Sequence, residues 1–203
     1  MAIRDGYLVV TGARLGTIPT MKRVVLATLR GAAAGAAGTT ALNVVSYVDM
    51  VTRARPASTT PEATIETFSR RSHIPIPGTD GARANRVAGL APLTGIVAGV
   101  GFGALLGLLR GTGWHSGKVV TMAAATAGVM VATNTPMTAL GVTDPRTWAA
   151  TDWVADVLPH LAYAAVTVAV LDGLDGDDGL NTAERRHWLT PLSRVLGGRL
   201  ARS

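Results

Sequence analysis

The sequence predicts an all-α integral membrane protein with four transmembrane helices, and three observations carry that prediction. Residues 87–109, VAGLAPLTGIVAGVGFGALLGLL, run for 23 positions without one charged side chain. At ~1.5 Å per residue, a helix of that length covers the ~30 Å hydrocarbon core of a bilayer. Further apolar runs lie over 31–51, 119–140 and 153–171, separated by polar loops. Charged residues make up only 16% of the chain and the mean hydropathy is +0.31, whereas a soluble domain carries about 25% charged residues.

The remaining composition excludes several classes of function. The net charge of +6 fits basic flanks that hold cytoplasmic helix ends. No nucleic-acid-binding motif accompanies it, and the aromatics are not interleaved with the arginines. The absence of cysteine removes disulfides, thiolate metal sites and cysteine nucleophiles. Neither G-x-S-x-G, nor a phosphate-binding G-x-x-x-x-G-K loop, nor H-E-x-x-H occurs. The expectation is therefore no enzyme, no cofactor, no metal and no nucleic acid. Arginine outnumbers lysine seventeen to two and Ala and Gly dominate, which suits a GC-rich bacterial genome.

Residues 1–23 read as an N-terminal arm. Its first twenty positions lack a long period and are either a short disordered arm or a stretch ahead of the true start at Met21. The first span, 31–51, is rich in Ala and Gly, and Gly31 with Gly35 forms a small-xxx-small pair that favours helix partners. The long loop 52–86 contains Thr60-Pro61-Glu62, a helix start, and Ile74-Pro75-Ile76-Pro77-Gly78, a stop. It is expected to hold a short interfacial helix over 61–71. In the second span Gly95, Gly99, Gly103 and Gly107 recur at every fourth position, which aligns them as one close-packing stripe. The third span carries Ala124, Gly128 and Ala132, then Asn134 and Pro136, where a kink or early end is expected. Trp114, Trp148 and Trp153 fall at span edges, where an indole suits the interface.

The fourth span is expected to end at an Asp172–Gly173 turn. Residues 172–203 then form a cytoplasmic amphipathic tail, with Asn181 and Glu184 capping a short interfacial helix bent at Pro191. A calcium loop from Asp175 fails, since Leu180 and Arg186 stand where Gly and Glu are required. Basic residues concentrate in the termini and in loop 110–118. This places both termini in the cytoplasm of a multi-pass bacterial plasma-membrane protein.

Ionisable groups within spans are costly and so mark candidate sites. They are Asp49 in the first span and Asp156 with His160, four residues apart, in the fourth; Asn43 and Asn134 add amides. Alternation of the spans brings all five toward one side of the membrane. One outcome is an interhelical hydrogen-bond cluster that holds the bundle. The other is a proton- or cation-responsive site, with His160 titrating, Asp156 orienting it and Asp49 as a second carboxylate.

Pro136, the run Gly141-Val142-Thr143-Asp144-Pro145, Trp153, and Asp156-Val157-Leu158-Pro159-His160-Leu161 resemble the YagU-like bacterial inner-membrane proteins. The rest of the chain resembles uncharacterised Ala/Gly/Arg-rich actinobacterial membrane proteins. The resemblance implies a small multi-span protein connected with acid tolerance, and it carries over Asp156 and His160 alone. Two functions are expected. One is a structural or accessory membrane component that meets a second copy or a partner membrane protein through its glycine stripe. The alternative is a proton-linked transporter or acid-response protein that uses Asp156 and His160.

Overall fold

A computed structural model describes the backbone of residues 2–4, 7–9, 18–19 and 21–200 and the side chains of residues 21–176. Its helices are α1 (Met21–Arg53), α2 (Thr60–Ser72), α3 (Asp80–Gly111), α4 (Lys118–Ala139) and α5 (Ala150–Leu200). Ahead of them, where the sequence suggests a disordered arm, three very short strands occur: β1 (Ala2–Arg4), β2 (Tyr7–Val9) and β3 (Ile18–Pro19). They pair antiparallel in the order β1-β2-β3. Among the described residues, α3 and α5, the latter over Ala150–Gly176, are the two helices long and apolar enough to cross a membrane.

Local chemistry sets the boundaries. Pro61 lies in the first turn of α2, and His73 closes that helix in a left-handed conformation with φ 57°. Gly78, at φ +96°, turns the chain into α3. Pro92 and Pro136 lie inside α3 and α4 without ending them. The expected early end of the third span therefore does not occur, and α4 runs on to Ala139. Between α4 and α5, Asp144 accepts the backbone N–H of Arg146 at 3.0 Å and opens a single 3₁₀ turn over Pro145–Thr147.

Two expected boundaries are corrected. The first helix starts at Met21 rather than Gly31. Lys22, Arg23 and Arg30 are good helix formers and do not interrupt it, and the Arg30 guanidinium lies against Asp175 of α5. The expected turn at Asp172–Gly173 is absent, since α5 continues through it to Leu200. Asn181 and Pro191 therefore lie inside a helix and neither cap nor end one. Ion pairs on Asp172 and Asp175, described below, offset the cost of the glycines there. The proposed interfacial placement of the tail side chains falls outside the described residues.

Helix α1 packs against α3 and α5, α4 against α5 and α3, and α2 lies on α3 and α4. The seam between α1 and α3 is made of backbone. A Cβ built on Gly35 would lie 2.6 Å from the Gly99 carbonyl oxygen. One on Gly103 would lie 2.5 Å from both the Gly31 carbonyl oxygen and the Gly35 Cα. At Gly31 and Gly107 it would overlap the backbone of the facing helix, and Gly111 continues the seam against Val24 and Ala27. Gly95 does not take part: a Cβ there meets nothing within 4 Å. A four-residue repeat drifts around a 3.6-residue helix, so Gly95 has rotated off the face that Gly103 and Gly107 present. Gly128 is a socket on α4 for the Phe102 ring of α3.

The buried core is small: Ala34, Leu106, Ala125, Ala164 and Leu171 form one cluster, with Phe102 and Val170 against it. Many large apolar side chains face outward instead. Val25, Leu29, Val48 and Val51 do so on α1; Leu93, Val97 and Leu105 on α3; Val119 and Val131 on α4; and Val154 and Leu158 on α5.

Candidate functional site

Two polar assemblies tie the helices together, one near each end of the bundle. The first is built on α4 and α5, where the alternation of helices brings the last third of one beside the start of the other. Asp156 and His160 are one turn apart on α5. The His160 ring is buried, with side-chain exposure of 9%. Its Nδ1 lies 2.7 Å from the backbone oxygen of Asp156 and 3.5 Å from that residue's Oδ1. On the other side Nε2 lies 3.2 Å from Thr133 Oγ1 of α4. Asn134 donates through Nδ2 to Asp156 Oδ2 at 2.9 Å.

The five polar residues singled out in the sequence therefore do not converge as one group. Asn134, Asp156 and His160 meet. Asp49 is held apart at the end of α1 by Arg53, at 3.4 Å, and by Arg55. Arg55 follows the helix end at Arg53, so the chain folds a guanidinium back onto the carboxylate before any other group reaches it. Asn43 is half-buried on α1, and no hydrogen bond among the described residues joins it to the α4–α5 cluster. The member that sequence inspection missed is Thr133. A threonine in an apolar helix carries no charge signal; its adjacency to Asn134 was the available clue.

The second assembly closes the opposite end. Arg110 at the end of α3 bridges Asp172 at 2.8 Å and Asp175 at 3.0 Å on α5. Lys118, at the start of α4, reaches Asp172 at 3.6 Å, and Arg30 of α1 lies 3.9 Å from Asp175. All four long helices thus contribute to one ion-pair clasp. The sequence disguised it by spacing aspartates and glycines like a turn.

Between these assemblies, Tyr163 of α5 is fully buried. Its hydroxyl donates to the Gly99 carbonyl oxygen at 2.6 Å, while Gly38 of α1 leaves room for its ring and for the Thr167 hydroxyl. This side chain ties α1, α3 and α5 at their common crossing and was also missed, being one aromatic in an apolar run. Outside the bundle, Arg83 of α3 pairs with Glu66 of α2 at 2.8 Å, and Arg71 of α2 donates to the Ala139 carbonyl at the end of α4. Trp148 and Trp153 meet edge to face with ring centroids 5.0 Å apart. In the same loop Arg146 holds the Asp144 carboxyl below its ordinary value.

Among the described residues no group of three or more His, Cys, Asp or Glu could hold a metal ion. The α4–α5 cluster is a hydrogen-bonded group of Thr133, Asn134, Asp156 and His160. No family model matches the chain, and neither the curated proteins nor the solved structures yield a match.

Proposed function

We propose that this chain is a bacterial plasma-membrane protein that spans the bilayer four times, with both termini in the cytoplasm, and serves as a non-enzymatic structural or accessory component. The observation that carries this is the apolar outer surface of its long helices. Large apolar residues face outward on α1, α3, α4 and α5, while the interior is small, with alanines and glycines packed beside Leu106, Val129, Tyr163 and Leu171. Contiguous exposed apolar surface of that kind is rare on soluble monomers and natural against lipid. Hydroxyls on these helices are tied to their own backbone: Thr28 donates to the Val24 carbonyl at 2.8 Å, Thr39 to Gly35 at 2.8 Å and Thr126 to Met122 at 2.9 Å. A helix satisfied in this way tolerates hydrocarbon. Helices α1 and α4 are diluted by Ala, Gly and Thr, and they cross by virtue of their partners. Because Gly99, Gly103 and Gly107 are engaged within the chain, a second copy or a partner protein would meet the outer face of α3, where Gly95 and Gly101 are open.

The natural absence of cysteine makes the test direct. Ser58→Cys, Ser116→Cys and Thr143→Cys are each exposed to a membrane-impermeant maleimide in intact cells and in inverted vesicles. Positions 58 and 143 should label from outside and 116 from inside. Labelling of 58 and 116 from the same face would overturn the four-span arrangement. Gly99→Leu should break assembly of the bundle, while His160→Ala should not.

A second reading rests on the α4–α5 cluster. A buried histidine with a carboxylate 3.5 Å away and a hydroxyl at its other nitrogen fits a proton-linked transporter or acid-response protein, in keeping with the resemblance to the YagU-like family. Histidine NMR on the nanodisc-embedded protein tests it. Titration of His160 between pH 5 and 8 that moves in Asp156→Asn supports proton linkage; a single state across that range removes it.

A further inference from the structure

We infer that Thr133 is the positioning residue of a proton-binding site at His160: by rotating its hydroxyl it lets the imidazole take up and release a proton without losing a hydrogen bond. This rests on the proton-linked reading and deepens it.

The tautomer follows from the partners. The Asp156 carbonyl oxygen, 2.7 Å from Nδ1, can only accept, so Nδ1 carries hydrogen in either protonation state. In the neutral ring Nε2 is therefore a lone pair, and Thr133 Oγ1 at 3.2 Å donates to it. When a hydronium ion gives its proton to Nε2, one of its O–H bonds breaks and water is released, a new N–H bond forms and the ring gains one positive charge. Nε2 then donates to Oγ1. The threonine hydroxyl hydrogen turns away without breaking its O–H bond, toward the Val129 carbonyl at 3.0 Å or that of Met130 at 3.2 Å. Both acceptors lie one turn back on the same helix, as a threonine in a helix commonly arranges. An asparagine or a backbone amide at this position could not exchange the two roles so simply. A hydroxyl can, because its single hydrogen rotates freely among acceptors.

Charge at the site is set by few groups. On α5 itself, Asp156 faces the ring, and its other oxygen is taken by Asn134. Helix α4 contributes only the neutral Thr133 and Asn134. Helix α1, also packed on α5, brings Asp49 at its end together with Arg53 and Arg55, which neutralise it, while Tyr47 is exposed. Over the same end lie Glu66 of α2, paired with Arg83 of α3, and the α2 groups Glu62, Arg70 and Arg71. The imidazolium thus meets one unneutralised carboxylate at close range.

The test uses the full chain with ¹⁵N-labelled histidine in nanodiscs, His160 being assigned by comparison with His160→Gln. The neutral form should show the Nδ1–H tautomer, opposite to the form that free histidine prefers. Thr133→Val removes the hydroxyl. It should weaken proton affinity at His160 by roughly five- to tenfold, since a hydrogen bond to a charged group outweighs one to a neutral group. Thr133→Ser should restore it. A neutral Nε2–H tautomer in the wild type overturns this inference while leaving proton linkage standing, and the same holds for titration unchanged in Thr133→Val. Failure of His160 to titrate at all between pH 5 and 8 overturns both. The wild-type tautomer does not depend on Thr133→Val, so a poorly folding Thr133→Val leaves the test intact.

Discussion

Gly103→Ala and Gly101→Ala make the same chemical change two residues apart on one helix, and the structure assigns them opposite outcomes. A Cβ at Gly101 meets nothing within 4 Å, whereas one at Gly103 falls 2.5 Å from a carbonyl oxygen and a Cα of α1. Ordinary van der Waals contact begins at 3.4 Å, so α1 and α3 must separate by about 0.9 Å locally. The obstructing atoms are backbone and cannot rotate aside. Overpacking of this kind costs about 1–3 kcal/mol, and the seam's close approach to Gly35 and Gly107 leaves little room to relax. Alanine recovers up to about 1 kcal/mol of helix propensity at either position. The net expectation is a loss of about 2 kcal/mol for Gly103→Ala, which lowers the melting temperature by ~4–8 °C in a chain of this size. Gly101→Ala should be neutral or slightly stabilising. Circular dichroism melts of the two variants in one detergent decide the matter. Equal melting temperatures would refute the assignment of the seam, and a lower value for Gly101→Ala would place the close contact on the wrong face of α3.

Tyr163→Phe removes the bond to the Gly99 carbonyl while keeping the ring, and should cost about 1 kcal/mol in denaturant titration; no loss would mean that the hydroxyl contributes nothing at the triple crossing. Arg110→Gln leaves Asp172 and Asp175 to Lys118 and Arg30. It should destabilise the bundle by roughly 1 kcal/mol at low salt and less at 1 M salt, because these groups are partly exposed and screened. A salt-independent loss would point to packing of the arginine stem instead. The Asp144 carboxyl is held below its ordinary value of 3.8 by Arg146, so its contribution to the loop is complete above that value and is lost as pH falls through the lowered one. Trp148 emission should therefore stay constant down to about pH 4 and change below it, and Asp144→Asn should abolish that step.

Sequence legibility divided along a physical line. Whatever depends on long runs could be read directly: the 87–109 run lies within α3, and Thr60-Pro61 marks the start of α2. Small-residue spacing placed Gly31, Gly35, Gly99, Gly103 and Gly107 in close-packing stripes, yet it could not say that the two stripes face each other, nor that Gly95 turns away. Pairing between helices is not written in the period of either one. Polar convergence suffered in the same way. Helix alternation sorted Asn134, Asp156 and His160 to one end, but the side chain of Asp49 was decided by Arg55, beyond its helix. The clasp at Asp172 and Asp175 was misread because glycine-rich acidic stretches signal turns locally. In the folded chain those aspartates meet cations from α1, α3 and α4, which no local pattern announces.

The seam between α1 and α3 also bears on how such a chain is made. Its two halves are separated in sequence by all of α2 and both flanking loops, so α1 leaves the ribosome well before the glycines that receive it exist. Weakly apolar and studded with alanine and glycine, α1 has little to hold it in a bilayer by itself. In a membrane-inserted chain its residence would depend on a helix synthesised later, and the final docking of the first segment would wait on completion of the third. A substitution at Gly103 would then act twice, by widening the finished seam and by lengthening the interval in which the newborn first helix has no place to go.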